Sequence, residues 1–142
     1  LALVIISFIQ LAAIIKIGDN LIYSLPICLF WGRFSTLIYI EQFKYLSYKS
    51  KTLSHKKYWR GLKKEAFISI LFLLIIVTCK FSTYSSFLEI IKNISLLLIS
   101  LFCSFQIPQI LGKKIGGFNG DSCGACIIIC ETILLLTHSI FH

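Results

Sequence analysis

Five apolar runs dominate this chain and decide what it can fold into. They cover Leu1–Ile15, Leu21–Ile40, Ala66 to about Cys79, about Ile90 to Leu111, and Cys123–Phe141. Most approach the roughly 20 residues a helix needs to cross a hydrocarbon core. In that core every backbone N–H and C=O must be satisfied within its own segment, so continuous runs rich in Leu and Ile read as helices. Strands of a membrane barrel would instead show short alternating segments. A soluble domain is excluded by composition. With 57% hydrophobic and 14% charged residues and a mean hydropathy of +0.87, the chain lacks the side chains for a wetted surface. The expected fold is all-α: a polytopic transmembrane helical bundle of about five spans. The third run is short and would borrow Phe81 and its neighbours.

Charge orients the spans. Lys44, Lys49, Lys51, Lys56, Lys57, Arg60, Lys63 and Lys64 lie between the second and third runs, within a loop from Glu41 to Glu65, and Lys113 and Lys114 precede a glycine turn. The opposite side has Lys16, Lys80 and Lys92, with Lys80–Glu89 read as a polar link. Loop and turn are separated by two spans and share a side, which the positive-inside rule makes cytoplasmic. The loop also carries Tyr45, Tyr48, Tyr58 and Trp59. Its plain reading is a topogenic loop with an interfacial aromatic belt; attraction to polyanionic nucleotides or anionic lipid is the other. His55 is a lone histidine there, a weak case for a catalytic base. No nucleic-acid module is recognisable, so nucleic acid is not an expected partner and the lipid bilayer is.

Six cysteines are present. Cys123, Cys126 and Cys130 include C-x-x-C spacing, but no second pair completes a metal site, so they read as small apolar residues of a packed helix. The chain has no methionine and starts in mid-run at Leu1. Its first run has no basic leader or cleavage site of a signal peptide. Residues 1–142 are therefore expected to be the C-terminal part of a single integral-membrane domain.

Chemistry concentrates in Gly116–Glu131, GGFNGDSCGACIIICE. Carboxylates at or within a bilayer are costly, and this acid-poor chain keeps two here. Gly116, Gly117 and Gly120 permit close backbone approach and positive φ. N–H groups at a helix start favour an anion such as phosphate. Asp121 would repel that phosphate unless a cation sat between them, as in a magnesium-bridged pyrophosphate. The plainer alternative makes Asp121 the N-cap of the last helix. Gly116, Gly120 and Gly124, four apart, would also suit close helix packing. Glu131 follows Asp121 by ten residues, about 15 Å deeper on a helix. One metal ion cannot easily bind both. Glu131 is expected to pair with a buried donor, and Arg33 in the second run is the candidate. Arg33 either grips a substrate phosphate, holds Glu131, or snorkels to the headgroups. With Pro26 and Pro108, the same charges would also suit a transporter or channel subunit.

The string Gly116-Gly117-Phe118-Asn119-Gly120-Asp121-Ser122-Cys123-Gly124-Ala125, followed by Glu131, resembles the C-terminal signature of the cobalamin synthase family, the membrane adenosylcobinamide-GDP ribazoletransferases. That pattern reads approximately G-G-x-T-G-D-x-x-G-A, with acids a few residues on. Gly32-Arg33 resembles the family's Gly-Arg pair, and the order of loop, spans and signature agrees. The likeness covers nearly all of this chain but only about the C-terminal half of the family. Asn119 stands where threonine is usual, and Ile128 where many members have the first of two glutamates. The family's aspartate-rich, magnesium-binding motif lies upstream of this segment, so the segment alone is expected to be inactive.

The resemblance implies a bacterial inner-membrane transferase with its active face toward the cytoplasm. Adenosylcobinamide-GDP and α-ribazole, or its 5′-phosphate, would be substrates, GMP the leaving product, and Mg²⁺ the cofactor. It assigns Asp121 and Arg33 to catalysis, with Asp121 also toward the metal. Gly116, Gly117, Asn119 and Gly120 go to substrate phosphate, and Glu131 supports them. A second copy of the chain is a further candidate partner. A lipid-headgroup phosphotransferase is the neighbouring alternative.

Overall fold

The computed structural model describes residues 1–46, 59–83 and 87–141. Five long helices account for most of them: α1 (Ala2–Ile17), α2 (Leu21–Gln42), α3 (Leu62–Thr83), α4 (Phe87–Ile115) and α5 (Gly120–Phe141). Among the described residues the β-structure is a single isolated bridge, Tyr45 to Phe118. The fold is all-α, as expected. Three stretches are long and apolar enough to cross a membrane: Ala2–Gln42, Phe87–Ile115 and Gly120–Phe141. Helix α3 lies outside that set. Its apolar part is bounded by Glu65 and Lys80, consistent with a short third run.

The first stretch is two helices. Gly18, at φ +57°, ends α1 and starts a 3₁₀ turn over Gly18–Asn20. That backbone conformation is open to glycine and strained for most residues. A straight helix of 41 residues would run about 61 Å. Yet α1 and α2 both pack along α5, whose 22 residues span only about 33 Å. The chain therefore folds back at the polar break.

Helix α2 is the centre of the bundle, packing against α3, α4 and α5. Its buried stripe, Ser24, Cys28, Gly32 and Ser35 with Ile27, Trp31, Ile38 and Tyr39, recurs at helical spacing. Small residues there let backbones approach closely, the usual basis of helix association where lipid removes the hydrophobic drive. On α5 the facing residues are Ser122, Cys126 and Cys130. Ser35 Oγ lies 3.4 Å from Cys126 Sγ, and Cys130 Sγ donates to the Trp31 carbonyl at 3.7 Å. These pairs run in opposite senses along the two helices, so α2 and α5 are antiparallel. Cys126 and Cys130 are thus buried packing residues, and all six cysteines are free thiols. Pro26 and Pro108 sit inside α2 and α4 without ending them, as membrane bundles tolerate.

Both ends of the polar link read over Lys80–Glu89 fall inside helices, Glu89 in α4. Lys80 belongs to α3 rather than to a link after it, and it is buried. It faces a small cavity shared with Asn93 and His138.

Candidate functional site

The turn between α4 and α5 is built by local chemistry first. Gly116 adopts φ +81°, and its N–H donates to the Gly112 carbonyl at 2.9 Å, closing α4. This is the glycine-terminated helix end in its familiar form. Helix α5 then opens with a reciprocal cap. Ser122 N–H donates to Asn119 Oδ1 at 2.7 Å, and Asn119 N–H donates to Ser122 Oγ at 2.8 Å. That pair has the logic of a capping box, two orphan donors satisfied by each other's side chains. Asn119 is therefore the N-cap, and the alternative that gave this place to Asp121 is corrected. Asp121 stands two residues on, exposed, where a carboxylate complements the positive end of the helix.

The turn is then fastened to the far end of α2. Phe118 N–H donates to the Lys44 carbonyl at 2.9 Å, and Leu46 N–H donates to the Phe118 carbonyl at 3.0 Å. Tyr39, buried in α2, donates its hydroxyl to the Gly117 carbonyl at 2.9 Å. The Phe43 ring fills the space where a side chain on Gly112 would stand, and Lys44 and Leu46 do the same at Gly117. Trp59 adds a tie outside the bundle, its Nε1 donating to Glu41 Oε2 at 2.5 Å. The close glycine contacts thus fall at Gly112 and Gly117. Among the described residues, a Cβ at Gly116, Gly120 or Gly124 would meet nothing within 4 Å. Among the described residues, no helix packs on the four-residue glycine spacing.

Between the end of α2 and the start of α5 lies a cleft of about 220 Å³, lined by Thr36, Ile40, Tyr45, Phe118, Asn119, Gly120 and Cys123. Asn119 and Gly116 use their N–H groups inside the turn. Helix geometry leaves the N–H groups of Gly120 and Asp121, the first two of α5, without intrahelical acceptors. Gly120 lines the cleft, and the exposed Asp121 follows it in the first turn of α5. Lys113 and Lys114 are exposed on the same turn, and Lys44 beside it.

Arg33 and Glu131 lie deeper. Arg33 is nine residues before Gln42, about 14 Å along α2, matching the roughly 15 Å that separates Glu131 from Asp121. Gly32 is the true neighbour of Glu131: a Cβ there would overlap the glutamate side chain. Arg33 is exposed and close enough to act on the Glu131 carboxylate electrostatically. It lines clefts with Phe30 and Ser69 at the α2–α3 boundary. It is one turn below Thr36, so the cleft and Arg33 share a side of α2. The proposed Asp121 and Arg33 are not in contact. Among the described residues no three His, Cys, Asp or Glu side chains gather as a metal site. His55, Tyr48, Tyr58, Lys49, Lys51, Lys56 and Lys57 lie outside the described residues.

Sequence reasoning singled out the glycines and acids but missed Tyr39, Phe43 and Thr36, and it named Tyr45 only as one aromatic of the basic loop. Their signal was faint: aromatics near a span end read equally well as an interfacial belt.

The chain is similar in sequence to known proteins. The family model described as "Cobalamin-5-phosphate synthase" matches residues 1–139. An adenosylcobinamide-GDP ribazoletransferase from Prochlorococcus marinus strain SARG is 32% identical over 141 residues, 99% of this chain and 54% of the relative. A protein of the same name from Prochlorococcus marinus strain MIT 9303 is 30% identical over 140 residues, 95% of this chain and 53% of the relative. The chain spans about half the length of the curated relatives it matches. No solved structure matches it. A match across nearly every residue places the chain in the Cobalamin-5-phosphate synthase family.

Proposed function

We propose that the protein is a membrane transferase that joins adenosylcobinamide-GDP to α-ribazole, or its 5′-phosphate, and releases GMP. The names of the relatives support the reaction class. The observation that carries it here is the turn itself. It is tied to α2 and its following residues, and it opens α5 with two N–H groups that lack intrahelical acceptors and an exposed carboxylate next to Gly120, which lines a cleft.

In the reaction, the ribazole hydroxyl oxygen forms a bond to the phosphorus attached to cobinamide. The bond from that phosphorus to the GMP oxygen breaks, and the hydroxyl proton is lost. Such transfers depend mainly on positioning and charge stabilisation rather than covalent work by the protein. The N–H groups of Gly120 and Asp121 hold phosphate oxygens at the positive end of α5. Gly116 and Gly117 shape the turn, and Asn119 both caps the helix and keeps its amide donors available. Lys44, Lys113 and Lys114 raise the local concentration of an anionic substrate. Arg33, one helical turn below Thr36, offsets negative charge on a group that reaches below the glycine turn, and Glu131, seated against Gly32, supports it.

Magnesium is the proposed cofactor. It is often held by one or two carboxylates with substrate phosphates and waters completing its shell, and the exposed Asp121 suits that role as one ligand. Bound there, the ion would offset charge on the diphosphate. The bilayer is bacterial and cytoplasmic, with the turn on the side where nucleotides are made.

The test is GMP release from adenosylcobinamide-GDP and α-ribazole by membranes carrying the full-length protein. Release that requires both substrates is the expected result. Release with a lipid alcohol instead of α-ribazole would favour a headgroup phosphotransferase, and no release with either would end the proposal.

A further inference from the structure

The cleft beside the turn has walls that phosphate chemistry does not need. We infer that it seats the heteroaromatic base of the ribazole substrate, with Thr36 as its polar contact. The inference rests on the ribazoletransferase reading and adds a specificity site to it.

Size and shape come first. At about 220 Å³ the cleft is below the roughly 300 Å³ at which pockets for drug-sized molecules begin. It can take a bicyclic ring but not a nucleoside with its phosphates. Tyr45 and Phe118 meet edge to face, with centroids 5.3 Å apart. Together they make an aromatic wall, and the bridge between their backbones fixes it. Ile40 and Cys123 supply the remaining apolar lining. Gly120 leaves one side open, since among the described residues a Cβ there would meet no neighbour. A sugar and its hydroxyl would exit past Gly120 toward Asp121.

Polarity then chooses between the two bases in the reaction. Thr36 lines the cleft, and its Oγ1 is buried with no hydrogen-bond partner. A helical threonine usually returns its hydroxyl to the carbonyl three or four residues back. Here the Gly32 carbonyl already accepts from Ser35 Oγ at 2.6 Å. The Thr36 hydroxyl takes neither that carbonyl nor the one at Arg33, and so is left able to donate to an acceptor on a ligand. Once ribosylated, a dimethylbenzimidazole has no N–H donor, a methylated apolar rim and one ring nitrogen that accepts. Guanine carries more donors and acceptors around its edge than Thr36 and Asn119, the polar non-aromatic side chains of this lining, can pair, and unpaired polar edges are rejected strongly. The cleft fits the benzimidazole.

The experiment uses the full-length protein and follows GMP release while each substrate is varied. Thr36→Val is expected to raise KM for α-ribazole about 5- to 20-fold, the loss of one hydrogen bond to substrate. KM for adenosylcobinamide-GDP should stay within about twofold, and Thr36→Ser, which keeps the hydroxyl, should restore the α-ribazole value. A second readout is independent of turnover: alkylation of Cys123, followed by mass spectrometry at that residue. Bound α-ribazole should slow it more than GDP does. An unchanged α-ribazole KM in Thr36→Val, or protection of Cys123 by GDP but not by α-ribazole, overturns the inference while leaving the transferase reading intact. Should the unaltered protein release no GMP, the transferase reading falls, and Cys123 protection alone decides the cleft.

Discussion

Two polar residues, two positions apart, divide the work at the start of α5. Asn119 satisfies the helix and Asp121 is left free of that task. Removing the cap in Asn119→Ala should cost about 1 kcal/mol of stability, the usual value of a side-chain cap. Asn119→Thr, which restores a capping oxygen, should cost less; thermal unfolding in detergent checks both. Asp121→Asn should leave the unfolding temperature within a degree or two. It should lower turnover on the order of 100-fold if the carboxylate acts at the diphosphate, in line with the loss of one preorganised charged group. Near-normal turnover and magnesium dependence would remove Asp121 from the site. The division of labour was partly legible beforehand. Both Asn and Asp are good caps, but only Asn119 has a hydroxyl three residues on, at Ser122, whereas Asp121 has Gly124. The role of Thr36 was not legible. Its orphan hydroxyl depends on Ser35, rather than Thr36, bonding the Gly32 carbonyl, and spacing cannot decide that.

Elements meet at glycines that the sequence singled out for other reasons. Gly32 drew attention as half of a Gly-Arg pair, with Arg33 as the presumed partner of Glu131. In the bundle the glycine does that job by leaving room, and the arginine acts from outside. Gly32→Ala should therefore destabilise the α2–α5 pair by roughly 1–3 kcal/mol, the range for overpacking a tight site. Its effect should shrink in the double variant with Glu131→Ala. A coupling of at least about 0.5 kcal/mol in that cycle is expected for residues in contact, and simple additivity would show that Glu131 is not held there. The clamp on the glycine turn has the same character. Tyr39→Phe removes the hydroxyl from the Gly117 carbonyl and leaves that buried oxygen unpaired, a loss of about 1–3 kcal/mol. A loosened turn should also slow turnover more than it weakens binding of adenosylcobinamide-GDP. Helix existence and order were readable from apolar runs because bilayer length leaves few alternatives. Which faces meet was not, since nearly every face of these helices is apolar and periodicity carries little information.

At the scale of the whole molecule, the function stands or falls on sidedness. Ten of the basic residues cluster at the α2–α3 loop and the glycine turn by sequence, and the structure joins those two places directly through the Lys44–Leu46 backbone. The bridge makes the inference stronger than charge counting alone, because the two segments cannot lie on opposite sides of a bilayer and still hydrogen-bond. Charge bias then sets which side they share. Lys114 and Lys16, both exposed, mark the two ends, with Lys16 at the break between α1 and α2. We expect Lys114→Cys to be protected from a membrane-impermeant thiol reagent in intact cells and labelled in inverted vesicles, with Lys16→Cys showing the reverse. Mass spectrometry at each introduced site separates its signal from that of Cys79, which is also exposed. Labelling of Lys114→Cys from outside would put the turn away from the nucleotides it is proposed to bind. No rearrangement of side chains could repair that, because the carboxylate, the free N–H groups and the cleft all belong to the one fastened turn.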